Sequence, residues 1–239
     1  MEDFVHLHVH TQYSILDGQA AIPKLVDKAI NNGMRGMAVT DHGNMFGIKE
    51  FFNYCNKVNK GKSDEEKFKP IFGCEVYCAR RDLHSKENNA LDKSGWHLIL
   101  LAKNEVGYHN LVKIVSEAWV DGYYHRPRTD HQAIEKHHEG LIASSACLAG
   151  EIPRYIKNGQ IEEAEKSIQW FKSIFGDDFY IELMRHEVKD PMQRANRDTY
   201  KEQKAIEPTL IELARKYNVK LICTNDSHFV DEENAEAHD

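Results

Sequence analysis

Short apolar runs alternate along this chain with longer stretches in which apolar residues recur at i, i+3 and i+4. A strand repeats every two residues and a helix every 3.6, so the two patterns separate. The short runs predict strands over 4–9, 35–39, 70–78, 96–102, 140–144, 178–184 and 219–224. The helical spacing predicts helices over 23–32, 46–58, 105–119, 161–175 and 208–217. Pro23 suits the first turn of the first helix and Gly33 its C-terminal exit. Such alternation points to an α/β barrel or a doubly wound sheet, where functional groups gather beyond the carboxyl ends of the strands. Residues 57–69 and 80–94 are polar and charged and read as surface loops. With no internal repeat and no linker rich in Pro, Gly or Ser, residues 1–239 are assigned to a single domain.

Composition narrows the function classes. A hydrophobic fraction of 41% over 239 residues supports a substantial core. The net charge of −7, from 31 Lys+Arg against 38 Asp+Glu, argues against a broad electrostatic clamp on nucleic acid and leaves room only for a local basic cleft. Five cysteines make an odd count without a CxxC pair, and no basic start precedes an apolar run. Neither a disulfide framework nor a secretory signal is indicated, so a reducing cytoplasm is expected. No apolar run reaches the length of roughly 18 residues that a spanning helix needs, so no membrane partner is expected.

The chemistry lies in separated clusters: His6-Leu7-His8-Val9-His10 at the start, Thr40-Asp41-His42-Gly43, Gly73-Cys74-Glu75, and Asn225-Asp226-Ser227-His228 near the end. On a strand His6, His8 and His10 would share one face and Val5, Leu7 and Val9 the other. Imidazole mixed with carboxylate suits zinc, manganese or iron(II). Asp226 and His228 are again two apart after an apolar run, and Asp41-His42 follows another. Any one of these pairs reads equally as a turn residue; four of them at strand ends read as a polynuclear metal hydrolase site. Glu75 interrupts an apolar strand, where an unpaired carboxylate is costly, and a bridging role between cations would remove that cost. The alternative is a partly exposed Glu at a strand end. His97 opens its strand, against the barrel rule, and reads alone as a core histidine. Cys147 is a small buried hydrophobe or a soft ligand, and Asp17 a turn residue or a ligand.

Two or three cations about 3.5–4 Å apart bind phosphate oxygens and stabilise a leaving oxygen, so phosphoester hydrolysis is the natural reaction. No GxxxxGK[ST] loop and no GxSxG elbow is present. Ser144 and Ser145 have no base partner in the sequence pattern, which leaves water as the nucleophile. Substrate contacts are expected from Tyr124, Arg126 and Arg128 in the run Tyr123–Arg128, whose aromatic faces and guanidinium groups suit a base and a phosphate. The other reading of that run is a surface loop. Arg185, after the strand that ends near Met184, is a further candidate.

FVHLHVHTQYSILDG, AVTDHGNMFG, IFGCEVY, WHLILLAKNEVGYHNL, GYYHRPRTD, SSACLAGEIP and CTNDSHFVDEENAEAHD resemble the PHP family, named for its polymerase and histidinol phosphatase members. Within it they look like the N-terminal PHP domains of bacterial replicative DNA polymerase (DNA polymerase III) alpha subunits. The resemblance covers essentially the whole chain. It implies a distorted (β/α)7 barrel with two or three divalent metals held by His8, His10, Asp17, His42, Glu75, His97, Cys147, Asp226 and His228. It leaves the role of His6 open, where stand-alone phosphoesterases often carry an acidic residue.

What the resemblance implies about function is a metal-dependent 3′–5′ exonuclease acting on a primer 3′ end, with His8, His10, Glu75, Asp226 and His228 at the reaction centre. Its partners would be DNA, the remainder of a longer polymerase polypeptide and other replisome subunits, and this chain would be a fragment unable to polymerise alone. Two rival readings are a non-catalytic, metal-stabilised module of the polymerase and a small-molecule phosphatase.

Overall fold

Between amphipathic stretches, the apolar runs bury themselves as one curled sheet with helices packed on its outer face. The computed structural model describes residues 4–187, 194–231 and 233–234. The last of the seven strings quoted above therefore runs outside the described residues at 232 and 235–239. In chain order the elements are α1 (Ile22–Asn31), β1 (Gly36–Val39), α2 (Ile48–Val58), β2 (Lys69–Ala79), β3 (Gly95–Ala102), α3 (Glu105–Val120), β4 (Arg128–Thr129), α4 (His131–Lys136), β5 (Leu141–Ser144), α5 (Glu151–Lys157), α6 (Ile161–Phe175), β6 (Phe179–Leu183), α7 (Arg194–Lys216) and β7 (Lys220–Cys223). The sheet runs β1-β2-β3-β5-β6-β7, with the short β4 beside β2. β1 is parallel to β2, and β5, β6 and β7 are parallel to one another, while β3 is antiparallel to both β2 and β5. This is a mixed α/β, barrel-like fold. Among the described residues no helix is long and apolar enough to cross a membrane.

The register separates two environments. Across β2 and β3, Gly73 faces Leu101, Glu75 faces Ile99 and Tyr77 faces His97. Partners directly opposite share a face of the sheet. Ile99 and Leu101 pack with Ala38 and Ala146, and with Leu7, Ile71 and Ile142, as an apolar floor. Glu75, Tyr77 and His97 continue the same face upward. On the opposite face Cys74, Val76, Cys78, Leu98 and Leu100 pack against α3, α5, α6 and α7 in the main core.

The expected strand over 4–9 does not form. His6 makes one bridge to Met37 and Val9 another to Ser227. The hydrogen bonds of this segment are divided between two neighbours. Ala38 N–H donates to His6 O (2.8 Å), Thr40 N–H to Val9 O (2.9 Å), and His10 N–H to Ser227 O (2.7 Å). The Thr40 hydroxyl accepts the Val9 N–H at 2.9 Å, in the place a ladder partner would take. The segment thus closes the curled sheet as a seam, and strict alternation is lost. His6 lines a separate cavity together with Val9, away from His8 and His10, which corrects the expected row of three histidines.

The helix expected over 208–217 is the end of α7, which begins at Arg194 and carries Pro208 inside it. The apolar spacing that predicts this helix begins only at 208, whereas the preceding turns of α7 are polar and give no periodic signal. The helices α4 and α5 are too short for a periodicity test to detect.

One glycine fixes the wall beside the site. A Cβ on Gly150 would lie 2.0 Å from the Ser145 carbonyl oxygen. Gly150 bridges His97, whose N–H donates to Ala149 O at 3.1 Å. Gly150→Ala is expected to cost about 1–3 kcal/mol through overpacking, read as a lowered urea midpoint with an unchanged slope.

Candidate metal centre

Four strands and the seam segment deliver titratable side chains to the upper inner face of the sheet. His42 follows β1 and bridges Glu75 on β2, which extends beyond β1. Asp226 and His228 follow β7, beside the seam segment that carries His8 and His10. His97 opens its strand, and antiparallel β3 puts that opening at the same end of the sheet as the carboxyl ends of its neighbours.

Glu75 lies at the middle, 1% exposed. Its Oε1 is 2.9 Å from His97 Nδ1 and 3.3 Å from His8 Nε2, while its Oε2 contacts His42 Nδ1 and lies 3.7 Å from His10 Nε2. Asp226 Oδ1 is 3.0 Å from His8 Nε2 and 3.2 Å from His10 Nε2. Three overlapping triads result: His8, His10 and Asp226; His42, Glu75 and His97; and His10, His42 and His228. Within each triad the ligand atoms lie within 4.8 Å of one another. Asp17 Oδ2 joins from the side, 3.2 Å from His42 Nε2 and 3.9 Å from His228 Nε2. Cys147 Sγ is 3.8 Å from His97 Nδ1 and belongs to none of the triads. All nine expected ligands are thus neighbours, seven of them inside the triads.

Hydrogen bonds on the far side of the rings fix their orientation. Glu182 on β6 accepts from His8 Nδ1 at 3.0 Å, and also from Ser144 Oγ, Thr224 Oγ1 and the Ala146 N–H. Ser14 Oγ donates to Asp41 Oδ1 at 2.8 Å and so accepts from His10 Nδ1 at 2.9 Å. His228 Nδ1 donates to the Asp226 carbonyl at 2.8 Å. With each Nδ1 serving as donor, Nε2 of His8, His10 and His228 turns toward the cluster, where a cation replacing its proton would be bound. Sequence reasoning missed Glu182 and Ser14. Glu182 carried a usable signal, a lone carboxylate in the apolar run Phe179–Leu183; Ser14 carried none.

The donor set fits a cation. His8 Nε2, His10 Nε2, His42 Nδ1, Glu75 Oε2 and Asp226 Oδ1 are buried and lack hydrogen-bond partners, although they lie at ion-pair distances from one another. Buried polar atoms are ordinarily satisfied, and these five point into a common space. Burial works to raise the Glu75 and Asp226 carboxyls, but the surrounding histidines hold both well below the usual range. Burial works to lower His8, but Asp226 and Glu182 hold it well above its ordinary value. His42 is likewise raised to about 10 by Glu75 and Asp17 against its burial, while burial lowers His10 to about 4.

The expected substrate contacts divide. Arg126 lines a cleft of about 290 Å³ that opens from His42 and Asp17. Arg128 is a correction: it is fully buried, and its guanidinium donates to Gly122 O, Asp92 O and Leu83 O, so it braces loops and touches no substrate. Tyr124 is another, because its ring lies over the Arg128 guanidinium while Tyr123 lines the cleft instead. Arg185 is held in a two-pronged pair with Glu207 on α7, both contacts 2.7 Å, and does not line the cleft.

Comparison with known proteins gives these residues a setting. The PHP domain family model matches residues 6–186. A DNA polymerase III subunit alpha from Borreliella burgdorferi is 43% identical over 236 residues, which cover 99% of this chain and 19% of that protein. The chain spans about a fifth of the length of the curated relatives it matches. A histidinol phosphate phosphatase from Lactococcus lactis, solved with zinc, L-histidinol and phosphate, superposes with a TM-score of 0.51 at 13% identity, covering 98% of this chain and 91% of that one. A candidate metal-dependent phosphoesterase from Bifidobacterium adolescentis gives 0.52 at 15% identity, covering 95% and 88%. At such identities the likeness to the two solved structures is one of fold.

Two substitutions separate ring orientation from mere proximity. Glu182→Gln is expected to weaken divalent metal affinity by about 10–100-fold through loss of the carboxylate behind His8. His6→Ala should leave it near wild type. Competition against a coloured chelator measures both, and equal losses in the two variants would show that the opening segment has been misassigned.

Proposed function

The chain belongs to the PHP domain family, and from that premise we propose that it is the PHP domain of a bacterial DNA polymerase III alpha subunit, with a metal-dependent 3′–5′ exonuclease site of its own. The carrying observation is the set of five buried, unpartnered ligand atoms converging between Glu75 and Asp226. Two or three divalent cations, zinc, manganese or iron(II), suit this mixture of imidazole, carboxylate and one neighbouring thiol. His8, His10 and Asp226 would hold one; His42, Glu75 and His97 a second; His10, His42 and His228 a shared third, with Asp17 and Cys147 at the margins. Bound there, the cations would supply Lewis acidity and a source of hydroxide near neutral pH.

The chain's own side chains have assigned parts in this reading. Glu75 has Oε1 beside His97 of its own triad and His8 of another, and Oε2 beside His42 of its own triad and His10 of the other two, as a bridging ligand would need. Asp226 adopts a left-handed backbone (φ 48°), unusual for a residue other than glycine, in a position that turns its carboxylate between His8 and His10. Arg126, at the rim, is free to pair a substrate phosphate. Neither nearby serine reaches the cleft: Ser144 and Ser145 are 4% and 2% exposed, and both are bonded to Glu182 beneath the cluster. Water is then the nucleophile. The primer 3′ end is the proposed substrate, and the rest of the polymerase polypeptide and other replisome subunits are the proposed partners, with polymerisation itself assigned to the rest of that polypeptide.

The test is digestion of matched and mismatched primer-templates by this chain with added Mn²⁺ or Zn²⁺, at several salt concentrations because phosphate contacts weaken with salt. Nucleotides should leave the 3′ end, faster from the mismatch, and Asp226→Ala should abolish the signal. A signal that survives in Asp226→Ala is contamination. Metal uptake without hydrolysis would instead favour a structural module, and faster turnover of a phosphomonoester would favour a small-molecule phosphatase.

A further inference from the structure

The cleft that opens from the metal centre carries an aromatic wall that the ligand set does not use. Phe46, Trp119 and Tyr123 are 57%, 41% and 48% exposed. Their rings form a row: Phe46 and Trp119 have centroids 5.9 Å apart, and Trp119 and Tyr123 lie 5.6 Å apart with planes at 21°. The row is fixed at its middle, where Trp119 Nε1 donates to the Gly43 carbonyl at 2.7 Å, one residue from His42. Three large rings held half in water beside a phosphate-handling site are unusual for a face with no ligand.

The loop opposite is shaped to the same end. Tyr124 N–H donates to Arg126 O at 3.0 Å, closing a tight turn whose middle residue, His125, takes a left-handed conformation (φ 61°). Such strain in a non-glycine residue concentrates at functional sites. The turn brings Arg126 over the Tyr77 ring at 5.9 Å, facing the cleft, and Arg126 has no carboxylate partner among the described residues. Flat rings beside an uncommitted guanidinium match an unpaired base joined to a phosphodiester. A paired end would first have to give up its own stacking.

We propose that Phe46, Trp119 and Tyr123 form a base-stacking subsite for the unpaired end of a single-stranded nucleic acid, with Arg126 on the adjoining phosphate. The assignment rests on the phosphodiesterase reading for the direction of the strand, but binding can be measured without turnover. The subsite would select frayed over paired ends by holding the base that a duplex keeps to itself.

The experiment is fluorescence anisotropy at low salt on metal-supplemented protein, using a labelled oligothymidylate of about ten nucleotides made resistant to cleavage by phosphorothioate linkages, and the same strand with abasic terminal residues. Wild type should lose about tenfold in affinity when the bases are removed. Tyr123→Ala and Phe46→Ala should each bind the intact strand about tenfold more weakly and lose much of the distinction, while Tyr123→Phe keeps it. Equal affinity of wild type for the two strands, or full discrimination in both alanine variants, overturns the proposal and marks the wall as a face for protein contact. A chain that stacks bases but cleaves nothing would refute the hydrolase reading alone; one that cleaves a small phosphodiester but ignores bases would refute only the subsite.

Discussion

His8 stands between three carboxylates, the buried Glu75 and Glu182 and the largely covered Asp226, and the rest of the structure depends on making that encounter tolerable. Isolated, each carboxylate would be expensive to keep away from water. Here β2, β6 and the segment after β7 each contribute one, and the seam segment contributes the ring that separates them. Behind them Ser144, Thr224 and the Ala146 N–H hold Glu182 in place, and Thr11 and Ser14 do the same for Asp41. The apolar floor of Ile99, Leu101, Ala38 and Ala146 lies below the charges on the same sheet face. Fold and site are therefore one arrangement, with the apolar part fixing strand register and the register fixing where the charges meet.

Much of this was legible in the sequence because the relevant signals are short-range. Strand-end positions identified His42, Asp226 and His228, and the apolar surroundings of Glu75 singled it out. The opening at His97 broke the barrel rule only because that rule assumes parallel strands; the direction of β3 is set by long-range pairing, which periodicity does not encode. Register also decided His6. Alternation holds for a residue in a continuous ladder, and the seam segment shares its hydrogen bonds between two sides. Arg128 shows a different limit. Its sequence neighbourhood, with Tyr124 and Arg126, reads as a recognition loop, yet three backbone carbonyls from distant segments claim its guanidinium. Glu182 met the same criterion as Glu75 and was passed over for lack of a motif around it.

The acidic balance of the chain and its proposed action on nucleic acid are compatible once local charge is considered. A net charge of −7 describes the whole chain, whereas the cleft is lined by Arg126 and His125 together with aromatic rings. Divalent cations at the floor would reverse the sign of the field that Asp17, Glu75 and Asp226 present to an approaching phosphate. Recognition would then be confined to the strand end that reaches this floor, in keeping with the net negative charge of the chain.

The seam has one more consequence. His8 and His10 lie early in the barrel's sequence and Asp226 and His228 late in it, and between the two segments the backbone bonds are those of His8 and His10 with Ser227 and of Gln19 with His228. A cation shared by these groups would act as a clasp between two segments far apart in sequence, where closing a long loop restricts the unfolded chain most. Occupancy of the centre and closure of the barrel would then be thermodynamically linked: whatever strips the ions also loosens the girdle of the fold where these two segments meet.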